Sequence, residues 1–444
     1  MAKKQTILGQ DIEVLKAACA NILSWIVLTF APSLLSRLIP HCNEEETDFE
    51  GGGTGSVNHS DRTRCVSIGR PGGLEQLRVI TLREGIATVG YNIRYFCPPP
   101  FTPSLRTLPD DIPPGCVLLR NEAFSVNYAD ACIRWGLYES ANRFVGWPIV
   151  PGFDVAGTIE AVGLAYAGNF ELNVGDKVFG CTLFGAYSSR VLVPKMQLRR
   201  IPPSLSLTQA ASLPAVSLTA LHALSLAGHY PLKSKCKNRS ILIHSAAGGV
   251  GSMLVQMSKI LELNPIVGVV GSASKVDEAR SLGCDFVIDK SNEDLWAAAE
   301  EVSATGYAAI MDANGVSTLQ DSYDHLAPTG RLVVFGFHSN LPVGQAMLSP
   351  MEWLRMGKKM NVMPKFDPMD MTVDNKSVLG FNLSFFAEEK ELMQELFDQI
   401  YKWLNEEKLR CPKITEMTMD KIGAAHELIQ SGKSVGKIII TTGV

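Results

Sequence analysis

Residues 241–261, ILIHSAAGGVGSMLVQMSKIL, limit what this chain can fold into more than any other stretch. An apolar run of strand length passes into Ala246-Ala247-Gly248-Gly249-Val250-Gly251. Val250, Met253, Leu254 and Met257 then recur at helical spacing. A strand, a turn of small residues and a helix, in that order, let a pyrophosphate approach the backbone at the positive end of the helix. A second apolar run, IVGVV at 266–270, follows, and that context turns a weak glycine signal into a predicted dinucleotide site. The same run bears on nucleotide choice. Sites that prefer NAD place an acidic residue about 20 residues on, against the ribose 2′-hydroxyl. Here the run ends in Gly271-Ser272-Ala273-Ser274-Lys275, with no carboxylate. Two hydroxyls and an ammonium there suit a 2′-phosphate, so NADP(H) is expected. An ordinary helix cap explains the same residues and is compatible with it.

The alternation continues through apolar runs at 239–245, 285–288, 307–312 and 331–336, with helical stretches between them. That pattern predicts a parallel sheet with crossover helices. Residues 77–205 read differently. Short β-branched runs broken by Gly and Pro (LRVITLR, GCVLLRNEAFSVN, VAGTIEAVG, GDKVFG, SSRVLVP) predict an antiparallel, barrel-like domain. Within it, 94–115 holds seven prolines and reads as an irregular surface excursion. Leu392, Met393, Leu396, Phe397 and Ile400 mark a late helix, and GKIIITT a closing strand. A chain of 444 residues has room for two cores. With 46% hydrophobic and 19% charged residues it is not a disordered or coiled-coil chain. Lys+Arg at 41 against Asp+Glu at 45 argues against a nucleic-acid partner.

The first 75 residues stand apart. Residues 17–36 carry no charge and are long enough to cross a bilayer, but Asn21, Ser24, Thr29, Ser33, Ser36 and Pro32 weaken that reading. Membrane contact and packing on protein both stay open for this segment, and a cleaved signal peptide fits poorly. A polar stretch with a Glu44–Glu46 run and three glycines reads as a flexible linker, so the folded part is expected to begin near Leu77. The ten cysteines form no C-x-x-C pair, which fits reduced thiols in a cytoplasmic setting. His222, His229 and His244 lack metal-ligand spacing and read as core or loop residues, and Arg331 as a solvated turn residue.

Further motifs carry a resemblance. Residues 151–163 (PGFDVAGTIEAVG), then Gly175-Asp176-Lys177-Val178, Leu213-Pro214-Ala215 and Leu218-Thr219-Ala220, resemble the medium-chain dehydrogenase/reductase superfamily from about residue 77 to 444. The resemblance implies an α/β chain in which a GroES-like, β-rich catalytic domain is interrupted by a Rossmann domain. The expected division is 1–75 extension, 76–212 catalytic, 213–378 Rossmann and 379–444 return to the catalytic domain. Where the zinc alcohol dehydrogenases carry ligands, this chain has Asn127 and Phe153, and their four-cysteine lobe is absent, so no metal is expected. Residues 127–138 look instead like the zinc-free quinone oxidoreductases, and 375–384 (NKSVLGFNLS) is similar to the vesicle amine transport protein homologues, a membrane-associated group.

By that resemblance Asn127 and Tyr138 line the substrate site. Ala247, Gly248, Gly249, Val250 and Gly251 form the pyrophosphate turn, with Ser272, Lys275 and Lys290 at the 2′-phosphate. Thr219, Asn314, Phe335, Phe337 and Asn382 follow the nicotinamide edge. Two departures stand out: Cys132 replaces a second tyrosine of some quinone oxidoreductases, and Asp289-Lys290 stands where others have a tyrosine. The implied function is an NADPH-dependent, zinc-independent hydride transfer to a quinone or α,β-unsaturated carbonyl. The alternative is a membrane-associated binding or trafficking protein that retains the reductase fold. The family pattern also implies a homodimer through the Rossmann sheet edge, expected at residues 331–336 and beyond.

Overall fold

Strands with both faces covered are near-continuous apolar runs, and IVGVV and YAAIMD have that character. In a computed structural model, which describes residues 62–82, 86–89, 105–107, 112–163, 172–231, 239–340, 350–386 and 389–444, both are fully buried strands, Ile266–Val270 and Tyr307–Asp312. They flank Ile241–His244 in a six-stranded sheet, every neighbouring pair parallel. Phe286–Asp289 forms one edge; Leu326–Val334 and then Ser377–Gly380 complete the other side. Strand order reverses direction at Ile241–His244, the crevice where open parallel sheets bind ligands.

The helix Gly249–Ile260 rises from that point with Met253, Leu254, Val255 and Met257 at 0% exposure. Burying each such side chain contributes about 1.5–3 kcal/mol. The burial exceeds a single stripe because the helix Pro214–Leu226 packs along its other side. The late helix Lys390–Asn405 lays Leu396, Phe397, Ile400, Trp403 and Leu404 into the same core.

A nine-stranded sheet forms the other half. Its central strand, Cys116–Val126, pairs antiparallel with Asp154–Val162, Arg190–Pro194 and the closing strand Lys437–Thr441. Two pairings are parallel, Ile86–Val89 with Arg190–Pro194 and Ile414–Thr418 with Lys437–Thr441, so the sheet is mixed rather than purely antiparallel. The return of the chain end beside Cys116–Val126 brings Lys437 close to Asn127, a proximity no local sequence pattern contains.

Three expectations need correction. The folded part starts before Leu77: Arg64–Ser67 pairs antiparallel with Arg78–Thr81, and Cys65, Val66 and Ile68 are 0% exposed. So short a run, flanked by polar sequence, does not register as a strand. The junction at 378/379 falls inside Ser377–Gly380, which belongs to the six-stranded sheet. That strand, which follows 331–336, is the sheet edge on its side. Arg331 lies within Leu326–Val334, and its guanidinium donates to the Leu226 carbonyl (2.9 Å) at the end of a helix, so it is a helix-terminus partner. Residues 17–36 and most of 94–115 lie outside the described residues; within the latter, Leu105–Thr107 is a strand. Among the described residues no helix is long and apolar enough to cross a membrane.

Candidate active-site cleft

A cleft of about 910 Å³ opens between the two halves, along the C-terminal ends of the parallel strands. Its floor is the glycine turn. Ser245 is left-handed (φ 56°), Gly248 N–H returns to the Ser245 carbonyl (2.8 Å), and the helix begins at Gly249. A Cβ on Gly251 would stand 2.1 Å from that carbonyl oxygen and 2.8 Å from Ala246 Cα, so only glycine lets the helix start close on the strand end. The first N–H groups of a helix lack intrahelical acceptors and carry partial positive charge. Ala247, Gly248, Gly249, Val250 and Gly251 all line the cleft. So does Asn314, only 7% exposed, whose Nδ2 finds no partner among the described residues, and His244, whose Nδ1 is likewise unmatched. A turn of small residues whose Gly251 admits no Cβ, beside unmatched polar atoms, fits a bound dinucleotide.

At the far end Lys275 and Lys290 line the cleft, but Ser272 does not; its hydroxyl pairs with Ser274 Oγ at 3.0 Å on the outer surface. Lys275 Nζ donates to the Gly432 carbonyl at 2.6 Å, and burial pulls its pKa down. Gly436 N–H donates to the Ala247 carbonyl (2.8 Å), so residues 431–436 wall the glycine turn from the catalytic half. This wall was missed in the sequence, where its signal was a Gly- and Ser-rich SGKSVGK after a helix.

The other end is aromatic and hydroxyl-bearing. Tyr138 precedes the short helix Glu139–Phe144, and its Oη lies 3.1 Å from Asn382 Oδ1, to which it donates, and 2.8 Å from Ser384 Oγ. Burial pushes the phenol up to about 12, so it stays protonated. Phe153 lies 6.1 Å from the Tyr138 ring, centroid to centroid. Phe335 and Phe337 line the same wall. Thr219 faces the cleft too, although its hydroxyl donates back to the Ala215 carbonyl (2.7 Å) of its own helix.

Asn127 sits between these ends, where Cys116–Val126 gives way to the helix Tyr128–Arg134. Its backbone N–H donates to Asp130 Oδ2 (2.8 Å), while its side chain is held from both sides. Lys437 Nζ donates to Oδ1 at 2.7 Å, and Nδ2 donates to Asp154 Oδ2 at 2.9 Å. Asp154, fully buried, also accepts the Ser125 hydroxyl and Ala215 N–H (2.6 Å). Burial pulls the Lys437 ammonium down, opposed by Asp154 and Asp130. Asp130 is pushed up to about 7, chiefly by burial. Asp154 and Lys437 were present in the sequence motifs but were not read as site residues. A lysine opening an apolar strand was the signal. Among the described residues no group of three or more His, Cys, Asp or Glu is arranged to hold a metal ion.

Two family models cover both halves of this site: the alcohol dehydrogenase GroES-like domain over residues 113–203, and the zinc-binding dehydrogenase domain over 249–398. A 2-haloacrylate reductase of a Burkholderia species is 34% identical over 234 residues, 51% of this chain and 67% of that one. The chain belongs to the medium-chain dehydrogenase/reductase superfamily. Within that superfamily it is also similar to the human synaptic vesicle membrane protein VAT-1 homolog, 28% identical over 332 residues, 74% of this chain and 80% of that one. The superfamily fold is shared with Escherichia coli quinone oxidoreductase solved with NADPH: TM-score 0.65 at 23% identity, covering 86% of this chain and 100% of that one.

Proposed function

We propose that this chain is an NADPH-dependent reductase that delivers hydride to a quinone or α,β-unsaturated carbonyl. The observation that carries the reading is a single cleft. It joins a turn of small residues closed by Gly251 and two lysines at one end to the Tyr138–Asn382–Ser384 cluster at the other. Similarity to a 2-haloacrylate reductase, which by name reduces an activated alkene, and a shared fold with an NADPH-bound quinone oxidoreductase support it.

When bound, NADPH supplies the hydride. The turn from Ala247 to Gly251 would hold the pyrophosphate, and Lys275, now bonded to the Gly432 carbonyl, would hold the 2′-phosphate with Lys290 beside it. The Asn314 amide, Thr219, Phe335, Phe337 and Asn382, which line the cleft, would flank the nicotinamide. At the acceptor, Asn127 and Tyr138, the latter by turning its one proton away from Asn382 Oδ1, would be the hydrogen-bond donors for the carbonyl oxygen, on which negative charge grows as hydride adds to the conjugated carbon. Such donors count for more in a site that excludes water. The remaining contribution is alignment of acceptor and nicotinamide.

The test is titration of the full chain with NADPH and NADH, followed by NADPH oxidation with quinones and enones. Lys275→Glu is expected to weaken NADPH binding far more than NADH binding. NADPH binding with no turnover of any acceptor would shift the function to a binding role. An absence of NADPH binding would refute the reading.

A further inference from the structure

Lys437 opens a strand whose next three residues are isoleucines at most 1% exposed, and the lysine itself is only 3% exposed. A buried ammonium is costly unless it is paired and hydrogen-bonded. Its partners all belong to one small network: Asn127 Oδ1 at 2.7 Å, the Val126 carbonyl at 3.4 Å, and Asp154 Oδ2 at 3.6 Å. On the opposite side of the same amide, Asp154 Oδ2 takes Asn127 Nδ2.

These partners leave Asn127 no choice of orientation. An ammonium only donates and an ionised carboxylate only accepts, so the amide oxygen faces Lys437 and the amide nitrogen faces Asp154. A flip would set N–H against N–H and oxygen against oxygen at a buried site. Ser125 Oγ, 3.3 Å from Nδ2, is itself bonded to Asp154 Oδ2 and lies on the same side as that carboxylate, so the second Nδ2 hydrogen points away from both. That hydrogen is therefore the donor the network makes available to a ligand oxygen in the cleft.

We propose that Lys437 is a positioning residue: with Asp154 it clamps Asn127 so that an N–H, never the amide oxygen, meets the carbonyl of the acceptor. The proposal rests on the reductase reading given above. It assigns Lys437 no contact with the acceptor and none with the cofactor. The lysine stem does lie near the glycine turn, where a Cβ on Gly249 would come within 2.8 Å of Lys437 Cδ. A direct attraction to the pyrophosphate is therefore the competing role that an experiment has to separate.

The full-length protein is labelled with ¹⁵N-asparagine, and the Asn127 side-chain amide is identified by its loss in Asn127→Ala. Lys437→Met is expected to move the Asn127 amide resonances while leaving those of Asn405, on a distant helix end, in place. It is also expected to lower kcat by about 10²-fold, the cost of a misplaced catalytic contact, with the Kd for NADPH unchanged. If the single variant fails to fold because Asp154 is left unpaired, Lys437→Met with Asp154→Asn removes both charges and is read against Asp154→Asn alone, so that the further change is that of Lys437. Unmoved Asn127 resonances overturn the proposal. So does a weakened NADPH Kd with kcat intact, which makes Lys437 a cofactor contact. A wild-type protein that turns over no acceptor removes the catalytic purpose of the clamp, and the amide spectrum then still reports whether Lys437 holds Asn127.

Discussion

Gly251→Ala tests the cofactor reading most directly, because its effect follows from backbone geometry. The new Cβ would stand 2.1 Å from the Ser245 carbonyl oxygen and 2.8 Å from both the Ser245 carbonyl carbon and Ala246 Cα. All three are backbone atoms, so no side chain can swing away. Ordinary contact begins near 3.4 Å, and the start of the helix Gly249–Ile260 has to retreat by roughly 1 Å. Overpacking of this kind costs about 1–3 kcal/mol. Spread over a protein of this size it lowers Tm by only about 1–4 °C. The same shift draws the helix N–H groups away from a pyrophosphate. Losing one hydrogen bond to a charged group costs about 1.5–3 kcal/mol, or about 10–100-fold in Kd. The expected signature is thus a small loss in thermal stability beside a large loss in NADPH affinity, read by fluorescence titration and calorimetry on one preparation. Wild-type affinity in a folded Gly251→Ala protein would refute the placement of the cofactor on this turn.

Other consequences follow from single contacts. Tyr138→Phe removes the hydroxyl shared with Asn382 and Ser384 and should lower kcat by about 10²-fold or more, with NADPH binding retained. Because that phenol is held up to about 12, steady-state rates should show no loss from its ionisation between pH 6 and 9 (about the usual assay range). His426, fully buried and bonded to the Tyr187 hydroxyl (3.2 Å), is pulled by burial from 6.5 to about 3. The unfolded chain binds its proton first, so this contribution is complete above pH 6.5 and is lost as pH falls toward 3. Denaturant titrations of His426→Gln should therefore show a stability slope shallower by roughly 1 kcal/mol per pH unit across that window, and an equal slope would show that the imidazole is not held neutral. Gly357 lies inside the helix Pro350–Asn361, where an added Cβ would meet nothing within 4 Å, so Gly357→Ala should stabilise the protein by about 0.5–1 kcal/mol in the same titration.

Much of the Rossmann half was legible because its signals are local. Ile266–Val270 and Tyr307–Asp312 coincide with the runs drawn from the sequence, since strands buried on both faces must be apolar throughout. Ser377–Gly380 was harder: a half-buried edge strand of four residues has neither the length nor the hydrophobicity to register. Arg64–Ser67 escaped for a similar reason, its burial depending on a pairing with residues 78–81. Among the candidate site residues, the glycine turn, Lys275 and Lys290 reach one cleft, while Ser272 turns away to pair with Ser274.

The chain's own residues determined the strand–turn–helix at 241–261, the absence of a carboxylate after 266–270, and the alternation of strand and helix that follows, because each depends on neighbours within a few turns of backbone. Tertiary structure alone decided what surrounds Asn127. Asp154 is 27 residues away and Lys437 is 310; the first meets Asn127 because its strand pairs with Cys116–Val126, the second because the last strand folds back beside that same strand. A buried charge has no periodicity to announce it. Its position is set by the partner that makes its burial tolerable, and that partner is chosen by the fold.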